Sequence, residues 1–332
     1  MTMDSRAAAS KDTSQIPVMD YEGSNYRQAF WEGQGREYED LIERAVLQRV
    51  LPPSGRRIAE IGAGFGRLAD LYTGYEQIVL FDYSRTLLAD AVARWGSDPR
   101  FVFVAGNIYD LPLASGVLDT LVMLRVMHHL ADPLTALTQL ERVLHTKSVA
   151  VLEYANKRNL KSIGRWVLGR QDWSPFEPQP VEFVKLNYDF HPRWMMAQFA
   201  YAGLHVERRF SLSHFRLPLL KQMVSPEQLV RIEQKFVELA GRYPLAPSAL
   251  VTARSKSHRA ASDAGVNVQS VAALFRCPQC GAEAFTQPKA DLLHCASCDR
   301  MYEKRSQIWD FRMQYLHRIE MYPDRIGSAC GH

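Results

Sequence analysis

Glu60-Ile61-Gly62-Ala63-Gly64-Phe65-Gly66 joins an apolar run, Arg57–Ile61, to a helical one, Arg67–Tyr72. Glycine at alternate positions lets the chain take left-handed conformations and lets backbone N–H groups approach a ligand closely. Downstream, the pattern predicts a strand over Ile78–Phe81, a helix over Thr86–Trp95, strands over Phe101–Val104 and Thr120–Leu124, a helix over Pro133–Leu144 and a strand over Ser148–Leu152. After an interruption come a helix, Arg193–Ala202, and strands at Leu204–Phe210 and Ser248–Ala253. Upstream, Tyr21–Val50 reads as helical and Pro52-Pro53-Ser54-Gly55 ends it. Strands alternating with helices imply right-handed crossovers and a mostly parallel sheet with helices on both faces.

The 332 residues suggest about two domains. With 47% hydrophobic and 23% charged residues the chain can bury a sizeable core, and a net charge of +4 permits an anionic partner without demanding one. No apolar run reaches the roughly 18 residues of a membrane span. Residues 1–20 are polar, lack the apolar centre of a signal peptide and are expected to be a disordered tail. A cytoplasmic location is expected.

The crevice chemistry begins at Asp82, straight after the second strand and about 20 residues beyond the glycines, where a carboxylate can accept both hydroxyls of a ribose. A dinucleotide fingerprint would need a small residue at position 67, which is Arg67. The spacing instead resembles motif I of class I S-adenosylmethionine-dependent methyltransferases, and the similarity continues for about two hundred residues. The resemblance implies a Rossmann-like, seven-stranded, mostly parallel sheet over residues 21–254, with S-adenosyl-L-methionine as cofactor. Gly62, Ala63, Gly64 and Gly66 would cradle its methionine part, Glu60 would act near its ammonium, and Asp82, with Tyr83 beside it, would hold the ribose. Gly106-Asn107 replaces the family's Gly-Asp, so the Asn107 carbonyl oxygen would accept from the adenine amine, and Ile108 would pack on the adenine face.

Leu124-Arg125-Val126-Met127-His128-His129-Leu130-Ala131-Asp132-Pro133 resembles a stretch common in the family's small-molecule enzymes. Arg125 and His128 are the candidates to meet the acceptor, Arg125 also touching the cofactor and His128 serving as a base where the acceptor carries a proton. Asp132 suits a helix cap, and His129 structural packing. The signature of enzymes that methylate amide or adenine amino nitrogens is absent. A small-molecule acceptor is therefore expected, with RNA as the alternative partner.

An aromatic cluster, Tyr21, Tyr26, Phe30 and Trp31 with Arg36, could cover the cofactor or simply pack. Residues 156–192 form a lid or substrate insert. Its basic amphipathic segment carries Lys157, Arg158, Lys161, Arg165 and Arg170, and no acid lies between Glu153 and Asp172. Such a segment can be a solvated lid helix, lie on an anionic membrane, grip an acidic substrate or face RNA. The loop Gln171–Pro180, His191, His214 and Arg216 are expected around the acceptor.

Residues 255–272 read as a linker to a module at 273–313, followed by a tail at 314–332. Cys277-Pro278-Gln279-Cys280 and Cys295-Ala296-Ser297-Cys298 can give four thiolates to one tetrahedral zinc. Four sulfurs close the site to water, so the metal is structural, and Cys330 is left over. The module resembles Trm112-like zinc ribbons, which activate separate methyltransferases. Its tail departs from theirs at Gln307-Ile308-Trp309-Asp310.

Overall fold

The computed structural model describes residues 13–24, 31, 33–262 and 270–312. Helix α1 (Glu37–Val50) leads into β1 (Gly55–Ile61), β2 (Tyr75–Asp82), α2 (Arg85–Trp95), β3 (Phe101–Ala105), β4 (Leu118–Met123), α3 (Pro133–Arg142) and β5 (Leu144–Ala155). The insert holds α4 (Leu160–Val167) and a hairpin of β6 (Val181–Val184) and β7 (Asn187–Asp189). Then follow α5 (Pro192–Tyr201), β8 (Leu204–Leu212), α6 (Pro218–Met223), α7 (Pro226–Glu233), α8 (Val237–Ala240) and β9 (Ser248–Ser255).

Seven strands lie in the order β3-β2-β1-β4-β5-β9-β8. The first five are parallel and β9 runs against both its neighbours. Alternate residues of β1 feed opposite layers: Ala59 and Ile61 pack with Leu137 and Phe199, while Ile58 packs with Ile42, Val46 and Leu88. Chain order reverses between β1 and β4, which opens a crevice at their carboxyl ends.

Two expected helices are shorter than the pattern suggests. Within Tyr21–Val50 only Glu37–Val50 is helical among the described residues, because Gly23, Gly33 and Gly35 take positive φ ahead of it. Over Arg67–Tyr72 there is only a 3-10 turn at Ala69–Leu71. The chain must turn at Gly74, where a Cβ would overlap the Pro53 carbonyl.

The seven-stranded sheet is in fact part of one of eleven. Strands β10 (Phe285–Lys289), β11 (Leu292–Cys295), β12 (Met301–Arg305) and β13 (Ile308–Asp310) continue it, β13 pairing parallel to β3. The apolar Ile308-Trp309 tail thereby covers an edge that would otherwise present unpaired backbone groups. Leu274, Phe275, Tyr302, Trp309 and Phe311 join the core layer that holds Ala59 and Ile61, so the cysteine module shares the main core.

The expected linker is also partly tied down. The Arg259 guanidinium donates to the carbonyls of Glu141 and Leu144, and the Arg259 carbonyl accepts from the Thr146 N–H. Residues 263–269 and 313–332, Cys330 with them, lie outside the described residues. Thr13 to Ser24, mostly in the expected tail, packs through Ile16 and Val18 onto the core; residues 1–12 lie outside the described ones. No helix among the described residues is long and apolar enough to cross a membrane.

Glu60 shares the β1 face of Ile58 and is only 5% exposed. Burial pushes its pKa up to about 7, although the Tyr72 hydroxyl donates to it at 3.0 Å. Because the folded value lies above the ordinary 4.5, the folded state holds the proton longer, and stability falls as pH rises between about 4.5 and about 7. Glu60→Gln keeps an acceptor for Tyr72 and removes this cost. Urea unfolding should show the variant more stable than the native chain by on the order of 2–3 kcal/mol at pH 8 and nearly equal at pH 4.5. Parallel stability curves for the two proteins would refute a protonated Glu60. Trp309→Ala should cost about 3–5 kcal/mol, as for a buried tryptophan of a main core. A loss below about 1 kcal/mol would show that the module folds apart from the sheet.

Candidate cofactor cleft and acceptor cavity

Gly62, Gly64 and Gly66 all take positive φ, at 73°, 53° and 69°. The turn is pinned to β2, since the N–H groups of Gly62 and Ala63 both donate to the Phe81 carbonyl, at 2.8 and 2.9 Å. A Cβ at Gly62 would overlap Val126 Cγ2, and one at Gly66 would stand 2.9 Å from the Trp95 ring nitrogen. Gly64 has only Leu87 near its missing side chain, so its open side faces the crevice.

Asp82 closes the second side. One carboxylate oxygen accepts the Gly64 N–H at 2.8 Å and the other the Ser84 N–H at 2.9 Å. Each oxygen keeps a further lone pair, and burial raises the pKa. Between them lies a cleft of about 710 Å³, counted to its open mouth. Gly62, Gly64, Asp82, Tyr83, Ile108 and Arg125 line it.

Four other expected contacts are placed behind that lining. Glu60 is turned to Tyr72. The Ala63 and Gly66 N–H groups are used within the turn. The Asn107 carbonyl oxygen accepts the Tyr109 N–H at 3.0 Å, capping a short turn, while Gly106, Ile108 and Tyr109 line the cleft around it.

Of the two histidines, His129 and not His128 reaches the cleft. Its Nδ1 lies 3.0 Å from the Leu186 carbonyl, which can only accept, so Nδ1 carries the proton and Nε2 receives the Tyr21 hydroxyl at 3.0 Å. Val18 and Met19 complete the wall beside Tyr21. Sequence reasoning missed these two, because the only signal was an apolar Ile-Pro-Val-Met inside a polar segment. Tyr26 and Phe30 lie outside the described residues.

Arg125 has a left-handed backbone, φ 58°, uncommon for a residue with a side chain. Glu153 holds it there by accepting its N–H at 2.8 Å. The guanidinium pairs at 2.5 Å with fully buried Glu43, whose other oxygen takes Arg67 at 2.7 Å, and Trp31 covers both arginines. Flanking cations hold the Glu43 pKa down against its burial.

His128 is partly buried. Burial, and then the charges of His129, Arg125 and Arg216, hold its pKa well below the ordinary value. Arg216 lines a second cavity of about 1850 Å³, counted to its open mouth, together with Asp189, His214, Trp173, Phe183 and Leu217. Burial lifts the Asp189 pKa to about 6. His214 Nδ1 meets Glu233 at 2.6 Å, and Glu233 also receives the Tyr38 hydroxyl. His191 does not line the cavity, since its Nδ1 accepts the Arg193 N–H and caps α5. Asp132 caps α3 as expected.

The Sγ atoms of Cys277, Cys280, Cys295 and Cys298 all lie within 4.8 Å of one another. Cys277–Cys298 and Cys280–Cys295 are 3.7 and 3.6 Å apart. Zinc–sulfur bonds of about 2.3 Å in a tetrahedron require roughly 3.8 Å between sulfurs, so this donor set fits zinc. The module also reaches the cleft: Arg312 donates to the Tyr83 carbonyl at 2.8 Å and pairs with Glu22 at 2.9 Å.

Residues 59–152 match a methyltransferase domain family. A Mycobacterium tuberculosis protein described as a probable S-adenosylmethionine-dependent methyltransferase is 29% identical over 116 residues, 34% of this chain and 41% of its own length. A similarly described protein of Mycolicibacterium smegmatis is 31% identical over 105 residues, 31% of this chain and 40% of its own. The chain thus spans about two fifths of the length of these relatives. Among solved structures, a chain of the complex of the Haloferax volcanii Trm112 methyltransferase activator superposes with a TM-score of 0.50 and 17% identity, over 70% of this chain and 96% of that one, which is a likeness of fold. The matched segment runs from β1 through β5, so the part of the chain that is similar to a methyltransferase domain contains the glycine turn, Asp82 and most of the cleft wall.

Proposed function

We propose that the chain transfers a methyl group from S-adenosyl-L-methionine to a small-molecule acceptor bound in the second cavity. The observation that carries this is the pairing of an open glycine turn with a half-buried carboxylate at the switch point of the sheet. When bound, the cofactor supplies a methyl group activated by its sulfonium. Gly62 and Gly64 offer backbone approach to the methionine part, and the spare lone pairs of Asp82 accept ribose hydroxyls. Ile108 and Leu87 offer apolar walls for the base. Glu60 supports the turn from behind.

The segment from Val18 to Tyr21 and the Trp31 indole exclude water, which matters more than acid–base help for an in-line displacement. Arg125 lines the cleft, and Arg216, from the wall of the second cavity, is near enough for its charge to act on both Arg125 and His128. Held neutral by burial, His128 can take a proton from an acceptor hydroxyl or amine, and Arg125 can orient an acceptor anion. A cavity walled by Trp173, Phe183 and Leu217 favours a partly apolar small molecule over a nucleic acid. The four cysteines hold a structural zinc that fastens β10–β13 to the sheet edge. Cytoplasmic residence suits the free thiolates such a site needs.

Titration calorimetry should show the native protein binding S-adenosyl-L-methionine, and labelled cofactor should mark a product in a cell extract. Asp82→Ala should weaken cofactor binding at least about tenfold, the loss of roughly one charged hydrogen bond. Gly62→Ala should weaken it further, through positive φ and overlap with Val126. No binding at millimolar cofactor would end the proposal. Elemental analysis should find one zinc per chain. Cys280→Ser should lose the metal and lower the unfolding midpoint, whereas a metal-free native protein of undiminished stability would remove the zinc assignment.

A further inference from the structure

Around the mouth of the second cavity the surface carries a concentration of exposed apolar side chains. Leu160, Phe183 and Leu217 line the cavity and still face solvent, and they come from three separate elements, α4, β6 and the residue before α6. Along α4, the capping Asn159 and Ser162 are turned inward. Trp166, Val167 and Leu168 are turned outward, the last two 66–69% exposed. Scattered exposed apolar residues are ordinary, but a contiguous set gathered on one rim marks an interaction face.

The charges on that rim have one sign in excess. Between residues 157 and 185 there are six cations (Lys157, Arg158, Lys161, Arg165, Arg170, Lys185) against three acids (Asp172, Glu177, Glu182). Lys157 is committed inward, donating to the carbonyls of Glu177 and Gln179. Lys161, Arg165, Arg170 and Lys185 are exposed, and the first two line the cavity mouth. Aliphatic tips and a tryptophan interleaved with lysine and arginine match the boundary between acyl chains and headgroups. Nucleic acid would instead call for stacking faces set along a basic groove.

We propose that α4, the β6–β7 hairpin and the start of α6 dock this face onto an anionic lipid bilayer. Trp166, Val167 and Leu168 enter the interface while Lys161, Arg165 and Arg170 meet the headgroups. The cavity then opens toward the membrane. The docking rests on surface chemistry alone and stands or falls apart from the methyl-transfer reading.

The test is co-sedimentation of the whole chain with vesicles of phosphatidylglycerol and phosphatidylcholine, against phosphatidylcholine alone. Binding to the anionic vesicles is expected at about 0.1 M salt, with loss at about 1 M where charges are screened within a few ångströms. Val167→Ser with Leu168→Ser should weaken it at least about tenfold, and so should Arg170→Glu with Lys185→Glu, each leaving the melting midpoint and cofactor affinity as in the native chain. The second pair lies outside α4 and keeps the test valid should the first disturb the helix. Absence of native binding to anionic vesicles, or unchanged binding by both pairs, overturns the proposal. So does finding that the same residues mediate self-association in sedimentation, or RNA binding, without vesicle binding.

Discussion

No side chain fits at position 62: a Cβ there would run into Val126, because the turns that follow β1 and β4 press against each other where the sheet changes direction. That contact forces the left-handed turn, which in turn presents the Gly64 N–H to Asp82 and leaves the β1 side of the crevice to bare backbone at Gly62 and Gly64. Adjacent parallel strands whose connections leave in opposite directions must part at their carboxyl ends. Glycine lets them part by the width of a ligand. The cleft is therefore a property of topology and backbone, and its polar groups are few.

The same economy governs the far edge. Parallel strand β3 would end the sheet with open hydrogen-bonding groups, and β13 pairs with it through Ile308↔Phe103 and Trp309↔Val104. The pairing brings Arg312 to the Tyr83 carbonyl and to Glu22, next to Asp82 and the segment that walls the cleft. The cysteine knuckles are thus mechanically continuous with the crevice. A loss of order in the module would reach the cleft through one strand and one arginine.

Much of this was legible in the sequence because it rests on local chemistry. The strand that runs into a glycine turn, Asp82 after β2, the cap at Asp132 and the pairing of cysteines two apart are each set by neighbours a few residues away. What was not legible depends on distant partners. Nothing near Ile308 says that it pairs with Phe103, so the ribbon read as a separate unit and the sheet as seven strands. Val18 and Met19 look like tail residues until Ile108 and His129 stand opposite them. His128 and His129 differ by one position in a single 3-10 turn, and only the turn's orientation decides which ring faces the crevice. Asn107 shows another limit, since its nearest use is to cap the turn that follows it.

Arg125 stands on the cleft wall, and its surroundings explain why an arginine tolerates a glycine-like backbone. A fully buried Glu43 without partners would be costly, and two arginines offset that cost. Arg67 is delivered by the glycine turn, Arg125 by the end of β4, and Trp31 shields both from water. Glu153, from the neighbouring β5, fixes the Arg125 backbone and is itself held by the Ser248 hydroxyl of β9. Glu43 of α1 and Trp31 thus meet the guanidinium, while Glu153 of β5 holds the backbone of the same residue. Strain at φ 58° persists only where surroundings over-determine it, and here a carboxylate binds each end of the residue. Such fixation keeps the guanidinium at one place on the cleft wall.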